Sequence, residues 1–562
     1  MGRHNLSPAW QFTIAVILIG SLVAGVGIAL GMTAGTYDRP TWIPQGSSGD
    51  LGTVNWSKFY ANPKYSAEMV IITSPELVSA LQPLAQWKTE KGTPCIINTT
   101  ENISATYPGR DLPEQIRNCL RDLYYNGSLE WVLLAGNSTT VPPRYVYNDD
   151  TVQVTANELE DQHGQTDLYY KPTDFYYSAL AGTWDENGNG IFGESANVTK
   201  TTDEIIWTPN VYVGRFPANS YAEMQGLVDK TIKYETNPPI GTWMQKMVLG
   251  GIISDPSPRN NDEAYVVQKI ADTDVPSSIT KAILLQTTAA YSPAPNVNNI
   301  TNTNMQFESA VAAGASLAHF EGHGNYYELA SSVGSNDVLD TSSAASLPNN
   351  DQLTFFYTAA CDSAAFDLYP TSTLMYALLV PQDRGAIGYI GAMRVSWYFD
   401  LNVEQEAGHW LESLNRGLAQ AFWQNFFING THQPGKALAD AKLTYINSAW
   451  ASFQNESNAA TNGFFGMEYE RKELLSFTLF GDPELNVYTQ EPKDFSIALP
   501  ATVYGGEEIQ APIRDTAGYS VPGATVCFQS ADGLYYNSTH LGTSTNLDVR
   551  VPILNNSESY NV

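Results

Sequence analysis

Cysteine is scarce. Cys95, Cys119, Cys361 and Cys527 are the four in 562 residues. So few thiols build no disulfide framework, and their spacing holds no zinc pattern. A Cys95–Cys119 bridge is one option; two core thiols is the favoured one, because both sit in apolar surroundings. Positive charge is scarce as well: 29 Lys and Arg stand against 58 Asp and Glu, a net charge of −29. That excess argues against nucleic acid, whose phosphates need a basic surface. No internal repeat is present, and no helical periodicity remains after Glu491. What the chain does have is 43% hydrophobic residues, enough for real cores, and a length that implies more than one domain.

The N-terminus carries one long apolar run, Phe12 to Met32. At about 20 residues it is long enough to span a bilayer and longer than most secretory h-regions. Residues 1–32 are therefore expected to be a signal anchor or a signal peptide that exports the rest. Arg3 before the run fits the positive-inside tendency. Asn-X-Ser/Thr sequons recur, for example at Asn98, Asn102, Asn429 and Asn537, and agree with an extracellular or cell-surface glycoprotein. Residues 33–64 are rich in Gly, Pro, Ser and Trp and read as a linker or short propeptide.

From Glu68 the pattern alternates between short apolar runs and amphipathic stretches. Met69–Ile72, Pro94–Ile97, Trp131–Leu134 and Val211–Arg215 read as strands. Helices are expected over Pro75–Glu90, Leu112–Tyr125 and Ala222–Tyr234. Such alternation means βαβ units and a parallel sheet. Residues 65–245 form a first α/β subdomain, with an irregular insertion at about 145–205. Residues 246–490 form a second, with strands at Met247–Ile253, Ala282–Leu285, Ala315–Phe320, Leu353–Ala359 and Ala386–Ile390. Residues 491–562 are an all-β segment, short for a complete Ig-like β-sandwich.

Two of those apolar runs end on reactive residues. Ala315–Gly322 delivers His323-Gly324, and Leu353–Ala360 delivers Cys361. Catalytic groups gather at the C-terminal ends of parallel strands, so an imidazole and a thiol are expected on one rim. A thiolate stabilised by a neighbouring base is a good nucleophile. Gly324 permits a sharp turn and close approach of substrate, and backbone N–H groups at Gly324 and Cys361 are candidates for an oxyanion hole. Each residue alone reads as ordinary core or loop; their joint placement carries the inference. His319, inside its strand, is expected to face the core.

Asp185-Glu186-Asn187-Gly188-Asn189-Gly190-Ile191 is a second constellation. Oxygen side chains alternate at Asp185, Asn187 and Asn189, with glycine sixth and the Ile191 carbonyl seventh. This matches the first half of a calcium loop. Position twelve is Ala196 rather than an acid, so Glu194 is the candidate to close the shell. A solvated Asn/Gly turn is the plainer alternative.

The order of several segments resembles the gingipain family of cysteine peptidases, within the caspase–gingipain clan. They are Trp87–Pro94, Pro108–Pro113, Trp131–Leu134, Val211–Arg215, the His323-Gly324 and Ala360-Cys361 junctions, and Phe480-Gly481-Asp482-Pro483. The resemblance covers about residues 68–488. It implies an α/β fold, a caspase-like peptidase with two subdomains, with His323 as general base and Cys361 as nucleophile. It also implies structural calcium and protein or peptide substrates. Asp174 would be an acid in the pocket for a basic P1 residue and Trp397 an aromatic wall over it. Glu158, Glu160, Asp161 and Glu321 are candidates for a third residue that orients the histidine. The same dyad would serve a sortase-like transpeptidase, and a decayed fold would serve as a non-catalytic surface adhesion or binding protein.

Overall fold

The computed structural model describes residues 67–147, 170–193, 203, 205–254, 261–287, 298–299, 303–331, 337–398, 410–448, 465–499, 507–522, 524–530, 536–540, 543–550 and 560–561. The chain divides into two compact units, Met1–Gln45 and Gly46–Val562, and every described residue lies in the second. The expected anchor and linker lie outside the described residues. Among the described residues no helix is long and apolar enough to cross a membrane.

Strands β1 (Met69–Thr73), β2 (Cys95–Thr99) and β3 (Trp131–Ala135) open the main sheet. β4 (Arg144–Tyr147) and β5 (Tyr170–Thr173) pair as an antiparallel hairpin apart from it. β6 (Tyr212–Phe216), β7 (Lys246–Gly251), β8 (Thr280–Leu285), β9 (Asn298–Asn299) and β10 (Leu317–Glu321) continue it. β11 (His323–Gly324), β12 (Glu328–Ala330) and β13 (Asp337–Asp340) form a small antiparallel sheet of their own. β14 (Thr354–Ala359), β15 (Ala386–Ala392) and β16 (Phe477–Phe480) complete the main sheet.

That sheet has eleven strands in the order β2-β1-β3-β6-β16-β15-β14-β10-β7-β8-β9. All its pairings are parallel except β15 with β16. β1, β3, β10, β14 and β15 are buried along their whole length, as parallel strands covered on both faces must be. Strands from both expected subdomains lie in this one sheet. β16, late in the chain, inserts between β6 and β15 and joins them. Sequence periodicity cannot show this, because β16 reads like any other apolar run.

Cys95 and Cys119 are free thiols. Cys119 lies in the core and accepts from Asn98 Nδ2 at 3.3 Å. Beyond residue 491 the described residues form two three-stranded antiparallel sheets. Glu508–Asp515 there alternates buried Ile509, Ala511 and Ile513 with exposed neighbours.

Candidate active site

Four successive strands, β7, β10, β14 and β15, run parallel side by side. Ser254, His323, Cys361 and Ser396 follow their C-terminal ends in that order. β10 stops at Glu321, where Gly322 turns the chain with φ +157; a Cβ there would lie 2.2 Å from Ile252 Cγ1. The redirected chain brings Gly324 against the end of β14. A Cβ on Gly324 would stand 2.9 Å from Ala360 Cβ and 3.4 Å from the Cys361 carbonyl. Glycine is thus required there by space, and its backbone sits beside the thiol's own.

His323 is half-buried, and its Nε2 lies 2.8 Å from the Ser254 carbonyl oxygen. A carbonyl only accepts, so Nε2 carries a proton, and in the neutral ring Nδ1 is then the acceptor. Nε2 is thus oriented by a backbone carbonyl. Ser254 is held in turn: the Ile253 N–H donates to Gln286 Oε1 at 3.0 Å, and Ser331 Oγ donates to that same oxygen. Sequence reasoning missed this orienting group, and a backbone carbonyl leaves no residue-type signal to find. Glu321 does not fill the role. It is buried with Oε1 3.2 Å from His319 Nε2, and burial raises its carboxyl above the ordinary range. His319 lies wholly in the core against the rings of Tyr357 and Trp423. Glu158, Glu160 and Asp161 lie outside the described residues.

Cys361 is also half-buried, and its Sγ accepts the Ser396 N–H at 3.4 Å. Asp362, next in the chain, adopts φ +53, a left-handed conformation that Asp tolerates better than most side chains. Its N–H donates to the Arg394 carbonyl at 3.0 Å, and Arg394 forks onto Asp367 at 3.0 and 2.8 Å. The turn after the thiol is therefore clamped to the 394–397 loop. Trp397 belongs to that loop, half-buried, with Lys472 Nζ 4.9 Å from its ring centre.

The chain matches the family described as peptidase family C25 over residues 62–488. It belongs to that family. Gingipain R2 of Porphyromonas gingivalis is 21% identical over 448 residues, 78% of this chain and 48% of that protein. Lys-gingipain of the same organism is 20% identical over 482 residues, 84% of this chain and 23% of that protein. The chain thus spans about half the length, or less, of these curated relatives. A solved structure described as the Arg-specific cysteine proteinase gingipain R superposes with a TM-score of 0.57 at 16% identity, covering 87% of this chain and 92% of that one. Another, described as a protease, gives 0.58 at 16% identity, covering 88% and 92%. These likenesses show the fold: the gingipain, caspase-like arrangement of a parallel-dominated sheet.

In this C25 chain Asp174 is not placed to receive a substrate. It is 3% exposed, and its two carboxylate oxygens accept from Arg215 Nε and Nη2, both at 2.7 Å. Arg215, fully buried, also donates to the Gly136 and Val141 carbonyls and lies over the Phe366 ring. The pair joins the β5 end of the insertion to β6. The sequence reading of Asp174 as a pocket acid gives way to this ion pair; an Arg on the adjacent strand element was the overlooked competitor.

The 185–191 loop closes on its own side-chain oxygens. Asp185 Oδ1 and Oδ2 accept the N–H groups of Asn189 and Gly190, both at 3.0 Å. Asn187 Oδ1 accepts Asn189 N–H at 2.9 Å, and Asn189 Oδ1 accepts Ile191 N–H at 2.7 Å. Gly188 and Gly190 make the turn at φ +71 and +83. One carboxylate and two amide oxygens are the hard donor type that a calcium ion takes. Among the described residues no group of three or more His, Cys, Asp and Glu gathers as a metal cluster. The fit therefore rests on one carboxylate with amide and carbonyl oxygens. Glu194 lies outside the described residues. Arg110 also donates to Asp185 Oδ2, a second cation drawn to that carboxylate.

Proposed function

We propose that this chain is a cysteine endopeptidase acting through His323 and Cys361. The observation that supports it most directly is the His323 Nε2–H bond to the Ser254 carbonyl, which leaves Nδ1 as an acceptor on the rim that carries Cys361. In this reading Nδ1 takes the Cys361 proton, and the thiolate attacks the scissile carbonyl carbon. The tetrahedral oxyanion forms beside the backbone N–H groups of Gly324 and Cys361. Collapse breaks the C–N bond, the departing amine takes the proton from His323, and a thioester remains on Cys361. Water, deprotonated by Nδ1, then attacks the thioester carbon; the C–S bond breaks, the acid leaves, and the Cys361 sulfur regains the proton from His323.

Trp397 stands in the loop beside the thiol and is our candidate for a wall of the P1 subsite. Its ion pair with Arg215 counts against Asp174 in that subsite. The loop residues Asp185, Asn187 and Asn189, with the Ile191 carbonyl, would hold a calcium ion, whose role would be to tie down the insertion. Export rests on the apolar run at Phe12–Met32 and on the sequons.

The test is cleavage of a peptide pool, mapped by mass spectrometry, beside Cys361→Ala and His323→Ala. Cuts present in the wild type and lost in both variants support the assignment. Cuts that persist in Cys361→Ala would refute it. Adding a peptide amine separates hydrolysis from transfer, since a transpeptidase would yield the ligated product.

A further inference from the structure

The loop that touches the thiol is held from beneath by groups with no evident task in the core. Glu473 is fully buried in helix Phe465–Ser476, and its Oε1 accepts the Trp397 N–H. Its Oε2 has no partner among the described residues. Asn415, 4% exposed, stands in the first turn of helix Leu414–Trp423. Its Nδ2 donates to Ser396 Oγ at 3.0 Å and its N–H to the Trp397 carbonyl at 3.1 Å. Leu414, just before it, takes φ +54, and its N–H donates to Tyr445 Oη at 2.6 Å. A left-handed leucine is backbone strain that surrounding structure must hold in place. A buried acid with an idle oxygen costs stability where an apolar side chain would not. One cost is borne at Glu473, which grips Trp397, and the other at Leu414, next to Asn415, which grips Ser396 and Trp397.

We propose that Glu473 and Asn415 are positioning residues that aim the Ser396 N–H at Cys361 Sγ and so stabilise the thiolate. An N–H donor favours the charged form of the sulfur and lowers its proton affinity. Burial, with Glu470 and Glu321 adding to it, holds Glu473 well above the usual carboxylate range, against the opposing Trp397 N–H bond and Lys472. Tyr357 and Tyr445 also face it. Glutamine is its isostere and keeps an oxygen that can accept the Trp397 N–H. For its consequence in catalysis the inference rests on the peptidase reading; its test does not.

The test is the pH dependence of Cys361 alkylation by iodoacetamide in the full chain, read on the Cys361 peptide by mass spectrometry. Glu473→Ala is expected to raise the thiol pKa by about one unit, near the strength of one charge-assisted hydrogen bond. Glu473→Gln is expected to restore the wild-type profile. Ser396→Ala keeps the N–H but cuts the Asn415 link, and should shift the profile the same way by less. If Glu473→Ala does not fold, Ser396→Ala decides alone. A wild-type profile in the folded variants, or Glu473→Gln behaving as Glu473→Ala, would overturn the proposal. A shifted thiol in a chain that cuts no peptide would uphold the positioning and sink the peptidase. Cleavage with an unshifted thiol would do the reverse.

Discussion

Asp174 separates two accounts of specificity. Replacing it with Asn leaves Arg215, fully buried, facing a neutral amide whose NH2 opposes a guanidinium N–H. Removing one partner of a buried pair costs roughly 3–5 kcal/mol, since the other charge stays without its counter-ion. Arg215 keeps the Gly136 and Val141 carbonyls and the Phe366 ring, and Asn keeps one acceptor oxygen. These place the cost near the lower end, about 3 kcal/mol. The assay is urea unfolding followed by tryptophan fluorescence, on a Cys361→Ala background so that self-digestion cannot distort the midpoint. Beside it, kcat/KM for basic and neutral P1 substrates is measured on the active form. The ion-pair account requires a lowered midpoint and an unchanged ratio of basic to neutral substrates. An unchanged midpoint with a selective loss of Arg and Lys substrates would refute it and return Asp174 to the pocket. Asp174→Leu with Arg215→Met should recover part of the stability lost in either single change, because neither member of the pair is left buried alone, although buried Lys442 still loses the Asp174 charge.

Gly322→Ala should destabilise by roughly 1–3 kcal/mol through overpacking, since its Cβ would meet Ile252 Cγ1 at 2.2 Å. Ile252→Ala in the same chain should recover part of that loss, read as coupling in a double-mutant cycle. Calcium should raise the thermal midpoint, and more so in Arg110→Ala, where Asp185 loses its competing guanidinium; no shift in either protein would leave the loop a simple Asn/Gly turn. Glu235 would be raised by burial, but Lys88 and Lys91 outweigh it and hold the carboxyl at about 2, below its ordinary 4.5. The stability it confers is complete above about 4.5 and is lost as pH falls towards 2. Asp482, raised by burial in the same cluster, works in the opposite sense. The stability difference between wild type and Glu235→Gln should therefore shrink between pH 4.5 and 2, and a constant difference would contradict the pairing.

The parts of the site that were legible in sequence are those whose signal is local. Apolar runs ending at His323-Gly324 and Cys361 announced buried strands, and parallel strands carry their chemistry at one end, so the rim could be read without coordinates. The alternating oxygens of Asp185, Asn187 and Asn189 announced a loop for the same reason. What stayed hidden depends on pairing across long sequence separation. Nothing in Phe477–Phe480 states that it will lie between β6 and β15, yet that insertion fuses two apparent subdomains into one sheet. Phe477–Phe480 also continues directly from the helix that carries Glu473. The consequence reaches the thiol. The helix that ends where β16 begins is the one that brings Glu473 under Trp397, while β15 delivers Ser396. The same topological step that a periodicity reading cannot see is therefore the step that builds the support beneath Cys361, and Asp174 was misread for a matching reason. Its partner Arg215 is 41 positions away in the chain, and an acidic residue in an aromatic segment looks available for a substrate until the sheet order places a guanidinium against it.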